Sequence, residues 1–403
     1  MTERNLLTDP CWSPKDLGEP LPNRPHAVSV ALPRWTDVIA YEEKVPACIN
    51  SLQAIYPRFG FNPFVAEVAR KSLAFQGELY ESSWPYPNIA SALSAQKHCH
   101  RNNSVCSSTI KDFLGTSCLI VDQRSTPSAK AFWQHTGLGL SSREAAIALG
   151  REKEPSTSDG HCARNELLKR LANIYNCDSS LIQLHRSGMA ALTTTLAAIK
   201  CINGNSSILQ IGFPYVDVLK LPQIVFEGSD LIVKTNLSQI KEELDKKKPA
   251  AIIIEIPSNP LLQCVDLISI SKLAKSKNIP IIVDDTIGSS INVHLTPYAD
   301  IIFSSLTKSF AGRGDILAGS TVVSPYSKWE KELTEIMPKV ALSTLSDSDS
   351  IELEITSRDV KDRLKRLNRS CLKLKEKLEK KKEISKVLHP ENSKNFNSLL
   401  RKG

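Results

Sequence analysis

The chain of 403 residues contains no apolar run that approaches the roughly 18 to 20 residues needed to cross a bilayer; its longest, such as 250–256, has the length of a strand. No basic segment followed by an apolar one opens the sequence, which starts MTERNLLTDP, so a secretory leader is not expected and the expected compartment is the cytoplasm. There is no C-x-x-C pair among the ten cysteines, at 11, 48, 99, 106, 118, 162, 177, 201, 264 and 371, and no spacing that suits a structural zinc site. They are expected to be mostly buried thiols. Positive charge is in excess only in the tail. The formal net charge is +8, but residues 361–403 hold 15 Lys/Arg against 5 Asp/Glu, so the rest of the chain is slightly acidic. A nucleic-acid partner is therefore not expected. No internal repeat is present. Apolar residues at 41% and charged residues at 23% are ordinary for a globular protein and exclude a mostly disordered chain or a collagen.

What is present is enough length for two to three domains of roughly 150 residues each. Residues 1–35 are rich in proline and polar groups and read as irregular. The stretch 35–75 mixes apolar and charged residues at near-helical spacing. Residues 83–108 carry clusters of Ser, Asn, Pro and His and read as loops. Residues 111–122 end in a strand-like run, and SSREAAIALG from Ser141 has a capping serine, helix formers and a closing glycine. From about residue 161 the rhythm changes. Apolar runs at 181–184, 208–211, 231–233, 250–256, 279–283, 301–303 and 316–323 alternate with helical patterns at 164–175, 188–202, 237–247 and 266–277. Continuous apolar strands between helices predict an α/β fold with a mostly parallel sheet covered on both faces. Beyond Pro325, Val360, Leu364, Leu367, Cys371, Leu374 and Leu378 recur at helical spacing, which predicts a packed linker helix.

Five segments at predicted strand ends carry groups capable of chemistry. In DIIFSSLTKSFAGRGDILAG, Ser305 and Thr307 precede Lys308; hydroxyls there can hold a phosphate, and the amine can condense with an aldehyde. In IPIIVDDTIGSS an acid pair, Asp284 and Asp285, ends a buried strand, where a carboxylate needs a partner; a helix N-cap by Asp285 or a loop-ordering bond is the plainer alternative. Gly188 and Met189 open a helix, whose first amides form an anion site. Two prolines in Glu255-Ile-Pro-Ser-Asn-Pro would fix a turn that aims Asn259. Tyr215 follows another strand and can lay its ring on a planar ligand.

In this order, S-G-M-A-A, a tyrosine after a strand, E-x-P-S-N-P-L, V-D-D-T and S-x-T-K-x-x-x-G-x-x-D-x-x-x-G over about 160–325 resemble the pyridoxal-phosphate enzymes of the cystathionine gamma-synthase and lyase group. PHAVSVALPRWTDVIAYEEKV, YPRFGF, QHTGLGLSSREA and GFPYVDVLK are similar to fungal-type members with a long N-terminal region. The resemblance implies the PLP-dependent transferase fold (fold type I, aspartate aminotransferase-like). Its large, seven-stranded-type sheet domain would span 126–330, after an N-terminal extension (1–125) and before a linker helix and incomplete C-terminal domain (331–403). It further implies pyridoxal 5'-phosphate as cofactor. Lys308 would hold it covalently through its amine and then move protons. Asp284 would face the pyridine nitrogen. Ser305, Thr307, Gly188 and Met189 would bind the phosphate. Tyr215 would stack on the ring and help protonate the leaving group, and Asn259 would sit near the phenolic oxygen. Glu255 is the matching acid upstream, with no role assigned.

The implied reaction is γ-replacement, in which cysteine displaces the acyl group of an O-acylhomoserine to give cystathionine. C–S lysis or γ-elimination uses the same residues, and a non-catalytic partner subunit of a complete homologue is a further alternative. Arg164 fits the family arginine that reaches the neighbouring subunit's phosphate, but Cys162 stands where the accompanying tyrosine is expected. A homo-oligomer is thus implied. The segment ISKVLHPENSKNFNSLLRKG resembles the first strand and loop of the family's C-terminal domain, whose arginine grips the substrate carboxylate.

Overall fold

The computed structural model describes residues 4–6, 8–74, 80–204, 206–233 and 235–401. Contacts group the chain into two units. The first is Met1–Gly160 with Ala311–Leu317 and Ser346–Leu353, and the second is His161–Phe310 with Ala318–Leu345 and Glu354–Gly403. The segments 1–125, 126–330 and 331–403 stay a proposal about function beside these contact groupings.

In the first unit a short antiparallel pair, β1 (Pro20–Leu21) and β2 (Ser29–Val30), precedes α1 (Trp35–Glu42), α2 (Pro46–Ser51) and α3 (Pro63–Leu73). The helical spacing over 35–75 thus resolves into three helices, because Pro46 and Pro63 each open a new first turn; Phe75 lies outside the described residues. A three-stranded antiparallel sheet, in the order β3-β5-β4, follows from β3 (Ser82–Tyr86), β4 (Ser108–Phe113) and β5 (Thr116–Val121). Between β3 and β4 runs α4 (Ile89–Asn102). The loop expectation for 83–108 is therefore corrected. Asn88 caps α4 by accepting from the Ser91 amide at 2.9 Å, and small side chains at Ala92, Ala95 and Cys99 form its buried face. The polar residues that resembled a loop occupy the cap and the outer face. Next come α5 (Thr126–Thr136) and α6 (Ser142–Ala148). The Ser141 hydroxyl accepts from the Glu144 amide, and the Glu144 carboxylate accepts from the Ser141 amide, as SSREA implied. Behind this cap the buried Arg143 donates to the Asp315 carbonyl at 2.8 Å and to Asp349 Oδ1 at 3.2 Å.

The second unit continues α7 (Thr157–Tyr175) into alternating strands and helices: β6 (Ile182–His185), α8 (Gly188–Asn203), β7 (Ile208–Ile211), α9 (Val216–Val225), β8 (Ser229–Ile232), α10 (Leu237–Lys247), β9 (Ala251–Glu255), α11 (Leu267–Ser276) and β10 (Ile281–Asp284). β11 (Ile301–Ser305) and β12 (Gly319–Val323) complete a seven-stranded sheet in the order β6-β12-β11-β10-β9-β7-β8. Only β12 runs antiparallel to its neighbours. The central strands are buried throughout, which is why they read as unbroken apolar runs. At the outer edge β8 starts two residues before the run at 231–233, and Leu231 and Val233 are exposed, since an edge strand has one neighbour.

After the sheet come α12 (Glu330–Val340), α13 (Asp347–Thr356), α14 (Val360–Glu379) and α15 (Lys394–Asn397). α14 packs only at its start: Val360 and Leu364 are buried, whereas Leu367 and Leu374 are exposed and so is Cys371. The packed-helix expectation holds for the first turns alone. No strand forms over 384–401 among the described residues; a single bridge joins Leu400 to Val293. This corrects the strand expected there. Pro390 starts a turn, the Ser393 hydroxyl accepts from the Phe396 amide to open α15, and burial of Phe396 and Leu399 fixes the segment. Among the described residues no helix is long and apolar enough to cross a membrane.

Candidate functional site

Parallel strands end together, so six of the seven strands stop at one edge of the sheet: β6 at His185, β7, β8, β9 at Glu255, β10 at Asp284 and β11 at Ser305. β12 starts at the same edge, with Gly319 opposite Ser305 on one side and His185 on the other. In open α/β sheets this is the edge where ligands bind. Gly188, Met189, Tyr215, Asn259, Asp284, Ser305, Thr307 and Lys308 all lie on these strand ends or in the turns that leave them. Arg164 is the exception, half-buried on α7.

One side of the edge is built for an anion. Ser187 caps the sixteen-residue α8 by accepting from the Ala190 amide at 3.0 Å. Gly188 is buried against β11; a Cβ there would stand 2.9 Å from Ser305 Cβ and 3.0 Å from its Cα. A Cβ on Gly319 would stand 2.2 Å from the Ser187 carbonyl oxygen. Only glycine at both positions lets the helix start come against the end of β11. That approach brings the positive end of the helix and its first amides beside the Ser305 hydroxyl. Thr307 is arranged differently. Its hydroxyl accepts from the Ala318 amide at 3.0 Å and donates to the Ala318 carbonyl at 3.3 Å, so its one proton braces the base of the 308–317 loop. Met189 is half-buried and packs on the core beneath the helix.

The centre of the edge is acidic. Asp284 and Glu255 are register partners on adjacent strands, so their side chains rise from the same face, and both are buried. Burial drives each carboxyl well above the usual carboxylate range, and repulsion from Asp284 adds to the shift of Glu255. Asp284 Oδ1 accepts from the Thr286 amide at 2.9 Å. Glu255 accepts from the backbone amides of Asn259 and Tyr215, while its Oε2 is buried with no hydrogen-bond partner among the described residues. Two buried acids side by side, with room for one negative charge between them, suit a ligand that brings a positive charge. Together with the anion cradle, this donor set fits a phosphorylated, protonated pyridine. Asp285 has the plainer role: its Oδ2 accepts from Tyr175 Oη at 2.9 Å and from the Ser290 amide and hydroxyl, which orders the loop after β10.

Lys308 is exposed at the end of the segment leaving β11. Tyr215 is half-buried at the cap of α9, and Asn259 is exposed in the turn after β9; both have their backbones anchored on Glu255. Thr286 was missed by the sequence reading. Its Oγ1 accepts from the Ser305 amide at 2.9 Å while its own amide holds Asp284, so it links the acid strand to the strand leading to Lys308. The V-D-D-T motif contained it, but hydroxyl-to-backbone bonds leave no separate spacing signal.

A model of the Cys/Met metabolism PLP-dependent enzymes matches residues 145–402. Among curated relatives, an L-2-amino-4-chloropent-4-enoate dechlorinase/desaturase of Streptantibioticus cattleyicolor is 28% identical, over 92% of this chain and 76% of its own. A cystathionine gamma-synthase of Neurospora crassa is 25% identical, over 88% of this chain and 78% of its own. An alanine racemase, ungC, of Aspergillus violaceofuscus is 26% identical, over 93% and 78% respectively. The crystal structure of metB from Corynebacterium glutamicum shares the fold, with a TM-score of 0.52 and 20% identity, over 62% of this chain and 66% of that one, just under two thirds of its length. A cystathionine gamma-lyase structure from Lactobacillus plantarum gives a TM-score of 0.52 at 18% identity, over 62% and 67%. The family match covers more than half of the chain and agrees with the fold and the cradle: this chain belongs to the Cys/Met metabolism PLP-dependent enzymes, with pyridoxal 5'-phosphate as its cofactor.

Proposed function

We propose that the chain is a cystathionine gamma-synthase-like transferase that replaces the acyloxy group on the γ carbon of an O-acylhomoserine with the cysteine thiol, the Cγ–O bond breaking to release a carboxylate and a Cγ–S bond forming to give cystathionine. Supporting this reading is the strand-edge arrangement, in which the helix-start cradle, the acid pair and a lysine-bearing segment share one sheet edge, and the gamma-synthase names among its relatives. When bound, the cofactor supplies an electron sink for a carbanion next to the substrate nitrogen. The chain's own residues do the rest. The α8 amides and Ser305 bind the phosphate. Asp284 keeps a positive charge opposite it by offering a carboxylate in a dry site. Lys308 moves protons at Nζ between the substrate α and β carbons. Tyr215, at the start of α9, would lie against the ring and hold a proton at Oη for the departing acyloxy group.

Purified protein with cofactor should absorb visible light, and borohydride should fix the cofactor on Lys308; Lys308→Ala should abolish the fixation. Incubation with an acylated homoserine and cysteine should then yield cystathionine. A protein that takes up cofactor but yields no cystathionine from any acyl donor would overturn the transferase reading. A second reading, elimination without cysteine, is favoured by the relative named for dechlorination and desaturation; release of the acyl group at equal rate with and without cysteine decides for it. The implied assembly, a homo-oligomer or a pairing with a complete homologue, is read out by light scattering.

A further inference from the structure

Glu255 occupies a position that no assigned role explains. It stands at the end of β9 in register with Asp284 on β10. Its carboxyl accepts the backbone amides of Tyr215, from the turn after β7, and of Asn259, from its own turn. The ends of β7 and β9 are thereby joined through one side chain that is 7% exposed. Its Oε2 is buried and makes no hydrogen bond among the described residues. A charged oxygen in that condition carries a full desolvation cost with nothing to offset it, beside a second buried acid. A proton on Oε2 removes that cost and leaves the other oxygen free to accept. Asp284 differs in that its Oδ1 accepts from the Thr286 amide and neither of its oxygens is buried without a partner among the described residues. The titratable group facing Glu255 is Asp284 on β10; Asp285 acts on Asp284, with its own Oδ2 turned to Tyr175 and Ser290.

We propose that Glu255 is a positioning residue of the cofactor site: neutral, with its proton on Oε2, it fixes the Tyr215 and Asn259 backbones to the end of β9 and leaves Asp284 as the single negative charge of the pair. This rests on the reading of Asp284 as the partner of the ring nitrogen. The division of labour has a clear logic. Two charges would repel one another and over-attract the ring proton, whereas two neutral acids would leave the ring without its counter-charge.

The test begins with the cofactor-free protein. A buried carboxyl whose folded pKa lies above its unfolded value contributes its stability below the ordinary carboxylate range and loses it as pH rises. The melting temperature of the wild-type protein should therefore fall between about pH 5 and about pH 8, and Glu255→Gln, which mimics the neutral acid, should flatten that fall. With pyridoxal phosphate added, Glu255→Gln should bind at least roughly tenfold more tightly than Glu255→Ala, which offers the two amides no acceptor. If Glu255→Ala does not fold, the pH slope of Glu255→Gln still decides. A Glu255→Gln slope equal to the wild type's, or affinities equal in the two variants, overturns the proposal. Failure of the wild type to bind pyridoxal phosphate would instead overturn the reading of Asp284, because the cofactor-free slopes do not depend on it.

Discussion

At the scale of single residues, the sharpest constraint is the space around Gly188. An added methyl would fall on Ser305 Cβ and on its backbone Cα, and the backbone cannot swing aside. Gly188→Ala should therefore separate the helix start from the end of β11 and weaken pyridoxal phosphate binding by about a hundredfold, read by titration of the visible absorbance. The protein should still fold, because alanine is a better helix former than glycine and the clash is confined to one helix start. His185 supplies a second test. It is fully buried beside Thr321, its Nδ1 has no partner among the described residues, and burial pushes its pKa down to about 3. Because the folded value lies below the ordinary histidine range, this stability is complete above that range and is lost as pH falls through it. Thermal melts of the cofactor-free protein should show the loss on acidification, and His185→Asn should remove that part of it.

At the scale of elements, α14 shows how a sequence pattern can promise more packing than the fold uses. Its apolar stripe is continuous from Val360 to Leu378, yet only the first turns are covered. Leu364→Ala should cost about 2–3 kcal/mol in urea unfolding. Leu374→Ala, which is 55% exposed, should change stability by less than about 0.5 kcal/mol. The same contrast separates what was legible from what was not. β9, β10 and β11 are buried on both faces, so each announces itself as an apolar run. β3, with the sequence SSWPY, pairs antiparallel with β5 and carries Ser and Pro, so composition alone disguised it as loop. α4 was hidden for the same reason, since its buried face is made of alanine and cysteine between polar neighbours.

On the scale of the whole molecule, the candidate site was legible because its motifs follow one another in a fixed order, each behind a strand, and parallel strands finish on one edge. Contacts made by backbone groups were not legible. The tie from Thr286 to Ser305, the turning of the Thr307 hydroxyl onto Ala318 and the anchoring of Tyr215 and Asn259 on Glu255 all depend on which strands are neighbours. In the first unit, long-range order rests on charge as well as on apolar packing. Arg143, 6% exposed, reaches the 311–317 and 346–353 segments through Asp315 and Asp349, two buried acids. Arg143→Met leaves Asp349 without its cation and should destabilise the protein by about 3 kcal/mol in urea unfolding, with Arg143→Lys recovering only part, because an ammonium cannot fork between two partners.

The order of strands across the large sheet also governs when the molecule can first recognise its coenzyme. Gly188 follows β6, at one margin of the sheet, and meets Ser305 only because β12, the last strand in the chain, inserts between β6 and β11. No contiguous fragment ending before β12 holds both halves of the phosphate cradle in place. During refolding from denaturant, recovery of coenzyme capture should lag behind recovery of helical signal, and the interval between the two measures how long the closing strand takes to find its slot.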